Sequence, residues 1–336
     1  MTRIAIVVMN LGGPDSLDAV EPFLFNLFSD PAIIRLPALL RLPLARLAAR
    51  GRAKIARAIF ARLGGRSPLL ANTEAQARAL EAALGEGHRA FVAMRYWHPT
   101  SAETARAVAE WAPAEIVCLP LYPQFSTTTT ASSLAAWRHA ARRCGLDRPT
   151  RAVCSYPAEI GFIEAIAGLI RPVLAEIGDS ATPLRLLLTA HGLPKRIVRE
   201  GDPYPDQVEI TAQAVVAALG QPGLDWRLCY QSRVGPLEWI GPSVETEIRR
   251  AGADRVTLVV APISFVSEHS ETLVELDHDY QNLAEISGVP AYRRVATVGT
   301  EPRFIASLAA LVRGARPMSA AAASAARGSR FAEADR

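Results

Sequence analysis

Runs of Val, Ile and Leu recur between longer stretches of helical periodicity, and this alternation restricts the fold more than any other feature of the chain. IAIVV (4–8), AFVAM (90–94), EIVCLP (115–120), LRLLLTA (184–190), WRLCY (226–230) and VTLVVAP (256–262) are short, continuous and apolar. Strands of that texture are buried on both faces, as in parallel sheets covered by helices. The fold class expected is therefore α/β. At 336 residues, half of them hydrophobic, the chain exceeds a comfortable single core, so two domains are expected. A further run, TRAVCSY (150–156), lies between two sets of strands, and the GLDRPT stretch before it breaks the pattern with Gly and Pro. The expected division is an N-terminal α/β domain over 1–147 and a C-terminal α/β domain over 148–314, followed by a compositionally biased, disordered tail over 315–336.

Charge and cysteine usage narrow the function classes. The 37 Lys and Arg against 33 Asp and Glu leave a net charge of +4, far from the dense basic footprint of a nucleic-acid binder, so no nucleic-acid partner is expected. Cys118, Cys144, Cys154 and Cys229 contain no C-x-x-C pair, which argues against a disulfide framework or a cysteine metal site and for a reduced, cytoplasmic chain. The opening MTRIAIVVMN is too short for a signal h-region with its cleavage site and runs into a Gly-Gly-Pro turn, so it reads as a first core strand, without export or a membrane span. Residues 35–63 differ in texture: Leu, Ile and Ala alternate with Arg and Lys at helical spacing, interrupted by Pro37, Pro43 and Gly51. Such a stretch suits peripheral contact with a membrane face or a roof over an apolar cleft, the plainer alternative being a solvated helical hairpin.

In open α/β sheets ligands bind beyond the carboxyl ends of the strands. That rule selects NLGGPD, LYPQFSTTTTASS, AHGLPKR and PISFVSEHSE. In the last of these, a helical pattern begins in which Glu271, Glu275 and Asp279 recur every four residues, with Glu268 and His278 close to the same side. At about 3.6 residues per turn they form one slowly drifting ridge. The plain reading is a solvated acidic face. The other is a path for a divalent cation of intermediate softness such as Fe²⁺, completed by an imidazole from a neighbouring strand end. His191, between the run Leu186-Leu187-Leu188-Thr189-Ala190 and Gly192, is that imidazole: a core residue at a strand end, a proton acceptor or a metal ligand. NLGGPD lacks the G-x-G-x-x-G fingerprint, and its glycines are expected to admit something flat or bulky. Helix capping accounts for part of the hydroxyl run in LYPQFSTTTTASS. MRYWHP (94–99) and YQSRVGPLEW (230–239) add aromatics and arginines at further strand ends, as a slot for a large aromatic ligand requires.

Taken in order, NLGGPD, GGRSPL, MRYWHP, LYPQFSTTTTASS, TAHGLPKRIVREGDPYPDQV, YQSRVGPLEWIGP and FVSEHSETLVELD closely resemble the ferrochelatase family, over about residues 4–310. The resemblance implies two Rossmann-like domains with parallel sheets flanked by helices, a chelatase-like fold, with the porphyrin between them. It implies insertion of Fe²⁺ into protoporphyrin IX to form protohaem. By motif, His191 and Glu271 correspond to the catalytic and metal-holding pair, and Glu275 and Asp279 to the metal path. Arg52, Ser67, Leu11, Arg95, Tyr96, Tyr230 and Trp239 fall at porphyrin-binding positions, Arg52 toward a propionate; Leu11 carries no axial donor, and Phe60 stands where some relatives have tyrosine. Some family members hold a [2Fe–2S] cluster through a cysteine in the YPQ-S segment and three near the C-terminus. Thr127 occupies the first position here and the tail has no cysteine, so no resident cofactor is expected. The expected roles give His191 the pyrrole proton and Glu271 the iron. The competing readings are a chelatase for coproporphyrin or sirohydrochlorin, or a non-catalytic tetrapyrrole- or metal-binding protein.

Overall fold

The computed structural model describes residues 2–177, 182–233 and 235–318. Among them the elements run β1 (Ile4–Asn10), α1 (Val20–Phe28), α2 (Ala38–Arg62), α3 (Leu69–Leu84), β2 (His88–Met94), α4 (Ser101–Trp111), β3 (Glu115–Pro120), α5 (Thr130–Arg143) and β4 (Thr150–Ala152). They continue as α6 (Ile160–Ile177), β5 (Leu184–His191), α7 (Lys195–Arg199), α8 (Tyr204–Leu219), β6 (Trp226–Gln231), α9 (Val244–Asp254) and β7 (Thr257–Pro262). A π-helix (Glu271–Asp279), α10 (Tyr280–Ile286), β8 (Tyr292–Arg294), α11 (Pro302–Arg313) and β9 (Arg316–Pro317) follow.

The expected α/β class with parallel sheets is what the chain adopts, in two compact units. In the first, a five-stranded sheet has the order β2-β1-β3-β4-β9, parallel except for β9. Its core gathers Val7, Met9, Cys118, Leu134 and Trp137, so the apolar runs read from sequence are the inner strands. In the second unit, a four-stranded parallel sheet has the order β6-β5-β7-β8 and packs Leu187, Leu258 and Val260 against Ile248, Leu276 and Tyr280. Capped helix starts follow two of the apolar runs. Thr100 and Glu103 form a reciprocal capping box at α4, and the Ser243 hydroxyl accepts from the Thr246 N–H at α9.

The boundaries differ from the expected ones. The first unit extends to Ser155 and regains the chain from Leu308, because β4 pairs with β3 (Ile116↔Thr150, Cys118↔Ala152) instead of opening the second domain. Residues 315–318 of the expected tail are drawn in by the antiparallel pair Arg151↔Pro317 and Ala152↔Arg316; the rest of that tail lies outside the described residues. Neither β8 nor β9 carries an apolar run, so sequence periodicity does not reveal them.

The 35–63 segment is one continuous helix, not a hairpin: Pro37 precedes α2, and the helix passes through Pro43 and Gly51. Ala45, Ala49, Ala53 and Phe60 recur at helical spacing on its buried side, and the three alanines allow close approach to α1, where Val20, Phe23 and Leu24 complete the cluster. The glycines of NLGGPD let the chain pack closely on itself. A Cβ on Gly13 would stand 2.5 Å from the Ser67 Cβ, and Gly12, at φ +87°, has the Trp97 backbone nitrogen 3.1 Å from where its Cβ would lie.

Candidate active site

In the second unit β5 lies between β6 and β7, and residues 185–190 are buried. His191 ends that strand in register with Gln231 of β6 and emerges half-buried. Its Nδ1 lies 2.6 Å from the Gly192 carbonyl oxygen. A carbonyl only accepts, so Nδ1 carries the proton and Nε2 is left with its lone pair. Nε2 faces Glu271 Oε1 at 3.6 Å. Gly192 is required for this arrangement, since a Cβ there would sit 2.9 Å from the Gln231 carbonyl oxygen and 3.2 Å from Trp239 Cε3. The ring has Phe265 at 6.4 Å, edge-on, and Trp239 at 6.5 Å between centroids.

Glu271 opens the π-helix that follows β7. Its backbone N–H donates to His269 Nδ1 at 3.0 Å, so His269 caps the helix start as a neutral imidazole; burial pushes its pKa down. The expected α-helix is instead a π-helix, with i→i+5 geometry over Glu271–Asp279. Glu271 faces His191, Asp279 is exposed at the far end, Glu268 turns to Arg294 and His278 is exposed. Glu275 is turned onto the end of β6. Its Oε1 accepts from the Ser232 N–H (2.8 Å) and the Tyr280 hydroxyl (2.8 Å), its Oε2 from the Ser232 hydroxyl (2.6 Å) and Gln231 Nε2 (3.3 Å). Burial and the Glu271 charge raise the Glu275 pKa, while the Ser232 and Tyr280 bonds oppose that rise.

Gln231, Ser232, His269 and Tyr280 build the site without standing out in sequence. Gln231 also donates to the Glu271 carbonyl at 2.9 Å, tying the two strand-end acids to β6. The available signal is the polar Gln-Ser step that ends WRLCY. Ser232 has φ +62°; the other non-glycine residues of this kind among the described residues, Ala112 and Arg255, end helices, whereas Ser232 is held in that conformation beside Glu275.

Two expected porphyrin contacts are buried in this structure. Tyr96 is 2% exposed in the first unit and donates its hydroxyl to Asp30 at 2.8 Å; burial, then the Asp30 charge, push its pKa up. Tyr230 is 5% exposed in the second unit, with its pKa raised by burial. Tyr96 joins the cluster formed by α1 and α2. Arg95 is committed to Asp30 (2.7 Å) and the Ser132 hydroxyl (2.7 Å), which leaves it an ion pair in the wall. Leu11 packs at the edge of the α1–α2 cluster, which also encloses Phe60. Ser67 is held by its N–H to the Pro14 carbonyl at 2.8 Å, Arg52 is half-buried on α2, and Trp239 stands beside Gly192 as described. In the STTTT run, Ser126 accepts from the Thr128 N–H and pairs with its hydroxyl, whereas the N-cap Thr129 makes no side-chain cap bond.

A half-buried imidazole and carboxylate at the carboxyl ends of a parallel sheet belong, with this fold, to the chelatase class. SirB from Bacillus subtilis with Fe³⁺ superimposes with a TM-score of 0.54 at 13% identity, 98% of each chain being covered. The sirohydrochlorin chelatase SirB from Bacillus subtilis subspecies spizizenii in complex with cobalt gives 0.51 at 12% identity, covering 93% of this chain and 94% of that one. Likeness at that identity is a likeness of fold. The chain belongs to the ferrochelatase family, whose model matches residues 3–316. The ferrochelatase of Caulobacter vibrioides is 57% identical over 316 residues, 93% of this chain and 90% of that one. That of Phenylobacterium zucineum is 54% identical over 325 residues, covering 95% and 93%. The protein is accordingly an enzyme of the metal-chelatase kind.

Glu268, at the entry to the π-helix, generates a pH prediction. Burial alone would raise its pKa, but Thr272, the Thr297 N–H and Arg294 together hold it below the usual carboxylate range. A depressed folded pKa contributes stability above the ordinary glutamate value of about 4.3 and loses it as pH falls through the folded value. Arg294→Gln is expected to move the acid-unfolding midpoint, followed by far-UV circular dichroism, to higher pH; an unchanged midpoint would contradict it.

Proposed function

We infer that the protein inserts Fe²⁺ into protoporphyrin IX to form protohaem, with release of the two pyrrole protons. The match to the ferrochelatase family over residues 3–316 carries this reading. The geometry supports a division of labour. His191 Nε2 offers a lone pair to a pyrrole proton, its tautomer held by the Gly192 carbonyl. Glu271, an oxygen donor on the other side of the gap, suits the incoming iron. Glu275 and Asp279 extend from that pair toward solvent as the metal path. Bending the macrocycle to expose its nitrogen lone pairs requires strain of about 1–5 kcal/mol, within what a ligand of this size supplies from remote contacts. Arg52, Ser67 and Trp239 are the porphyrin contacts we propose.

Anaerobic insertion of Fe²⁺ into protoporphyrin IX tests the reading, with coproporphyrin in parallel. Turnover on protoporphyrin is expected. His191→Ala is expected to lower kcat by at least about a hundredfold, the scale of general-base catalysis, with porphyrin binding changed little. Near-normal turnover of that variant would reject an essential imidazole.

We also propose that the protein works from the cytoplasm against the inner face of an anionic membrane. No helix among the described residues is long and apolar enough to cross a membrane. Opposite its alanine face, α2 exposes Leu40 (62%), Leu47 (70%) and Ile55 (63%), interleaved with cations. Arg41 is occupied by the Ser29 and Leu36 carbonyls, Arg46 stacks over Phe25 and Arg50 pairs with Glu21, so the leucines are the informative residues. Burying two leucines is worth about 3–6 kcal/mol at full depth. Leu40→Gln with Leu47→Gln is expected to cut co-sedimentation with phosphatidylglycerol vesicles at least about tenfold, and undiminished binding would remove α2 from the interface.

Our reading includes no resident iron–sulfur cluster. Cys118, Cys154 and Cys229 are buried thiols whose pKa burial raises, Cys154 to about 11, whereas cluster ligation needs accessible thiolates. Anaerobically purified protein is expected to lack visible cluster absorbance; such a spectrum would refute this.

A further inference from the structure

We propose that Tyr292 and Arg294, two side chains of the edge strand β8, are positioning residues for metal insertion: they clamp the π-helix on either side of Glu271 and hold that carboxylate opposite His191. The inference rests on the function proposed above.

β8 is three residues long and pairs in parallel with β7, Leu258 facing Tyr292 and Val260 facing Arg294. Alternation along a strand puts Tyr292 and Arg294 on one face and Arg293 on the other, where it is exposed. On the shared face the Tyr292 hydroxyl donates to the Leu276 carbonyl at 2.9 Å. Arg294 meets Asp277 with both arms of its fork, Nε at 2.6 Å and Nη2 at 2.7 Å, and its Nη1 donates to Glu268 Oε1 at 2.6 Å. Glu268 is fixed further by the Thr297 N–H at 2.9 Å. One guanidinium thus joins an acid three residues before Glu271 to one six residues after it.

A π-helix is an uncommon backbone state, and its i→i+5 turns need support from outside. The α-helical alternative, closing each turn on i+4, would rotate Asp277 and Leu276 relative to Glu271 and break the fork. The clamp therefore discriminates between the two windings. The Arg294 side chain is 13% exposed, so its charge-assisted bonds are little screened, and the planar fork matches a carboxylate in a way an ammonium does not. Gln231 and His269 tie the start of the π-helix and Ser232 and Tyr280 hold Glu275, while β8 holds the Leu276 carbonyl and the Asp277 side chain.

The test measures anaerobic iron insertion by wild type, Arg294→Lys, Tyr292→Phe, Asp277→Asn and the Arg294→Lys/Asp277→Asn double variant. Rates are expressed per protoporphyrin-binding site titrated by fluorescence. A purely structural role lowers the number of competent sites and leaves the rate per site alone. The clamp requires kcat per site to fall, by about tenfold or more in Arg294→Lys, since displacements of about 1 Å at a reacting group cost up to about a hundredfold. Porphyrin affinity should stay within about twofold, and the double variant should be no worse than the poorer single one, because both break the same fork. Should Arg294→Lys fail to fold, Tyr292→Phe, which removes one hydroxyl, carries the same prediction with a smaller fall. Wild-type rates per site in the folded variants would overturn the clamp while leaving the activity standing. A wild-type protein that does not insert iron would overturn the activity, and the clamp's role with it.

Discussion

A neutral imidazole nitrogen and an ionised carboxylate are both hydrogen-bond acceptors, and bringing them face to face is unfavourable unless a positive charge stands between them. His191 Nε2 and Glu271 Oε1 face each other at 3.6 Å. The Gly192 carbonyl prevents the simplest escape, a change of tautomer, because it binds the Nδ1 proton at 2.6 Å. The pair offers two donor atoms to a proton or a metal ion, the two cations that porphyrin metallation exchanges. Its rigidity comes from the sheet on one side, where His191 ends an inner strand, and from the π-helix on the other.

How much of this is legible in the chain depends on the kind of interaction involved. Hydrophobic burial writes itself as apolar runs, so β1, β2, β3, β5, β6 and β7 can be read directly, and with them the strand end that carries His191. β8 is the polar tripeptide Tyr-Arg-Arg at a sheet edge, where one neighbour suffices and no apolar run is needed. The π-helix is hidden for a different reason. Acids spaced by four residues satisfy an α-helical pattern, and only the contacts of Glu275 with Ser232 and of Asp277 with Arg294 reveal the wider winding. Tyr96 and Tyr230 are ambiguous in sequence because an aromatic at a strand end is equally suited to lining a slot and to sealing a core; the bond of the Tyr96 hydroxyl to Asp30 joins residues far apart in the chain, which no local pattern announces.

The helix α2 shows that two apolar faces on one element have different physical purposes. Alanines at 45, 49 and 53 contribute little area but let two helix backbones approach, and packing against α1 depends on that proximity. Leucines on the other side cover no neighbour among the described residues, and such area on an element already anchored is a surface for something else. The arginines that make the segment look like a cationic belt are largely occupied in holding α2 to α1, through Glu21, Phe25 and the Ser29 carbonyl. Composition counts them as free charge; the geometry assigns them to structure.

The same distinction bears on Glu275. Four donors converge on its two oxygens, so any cation arriving from Asp279 must displace hydrogen bonds already made. Against this, burial and the neighbouring Glu271 raise its pKa, which makes an added positive charge welcome. On the proposed path the two influences oppose each other. A relay point needs that opposition, since an ion must enter readily and still leave for the next ligand. Stronger binding at Glu275 would hold the iron there and starve the His191–Glu271 pair, whereas a Glu275 without its donors would swing away from the line. On the proposed path, the donors that compete with iron are therefore also what keep the path in place.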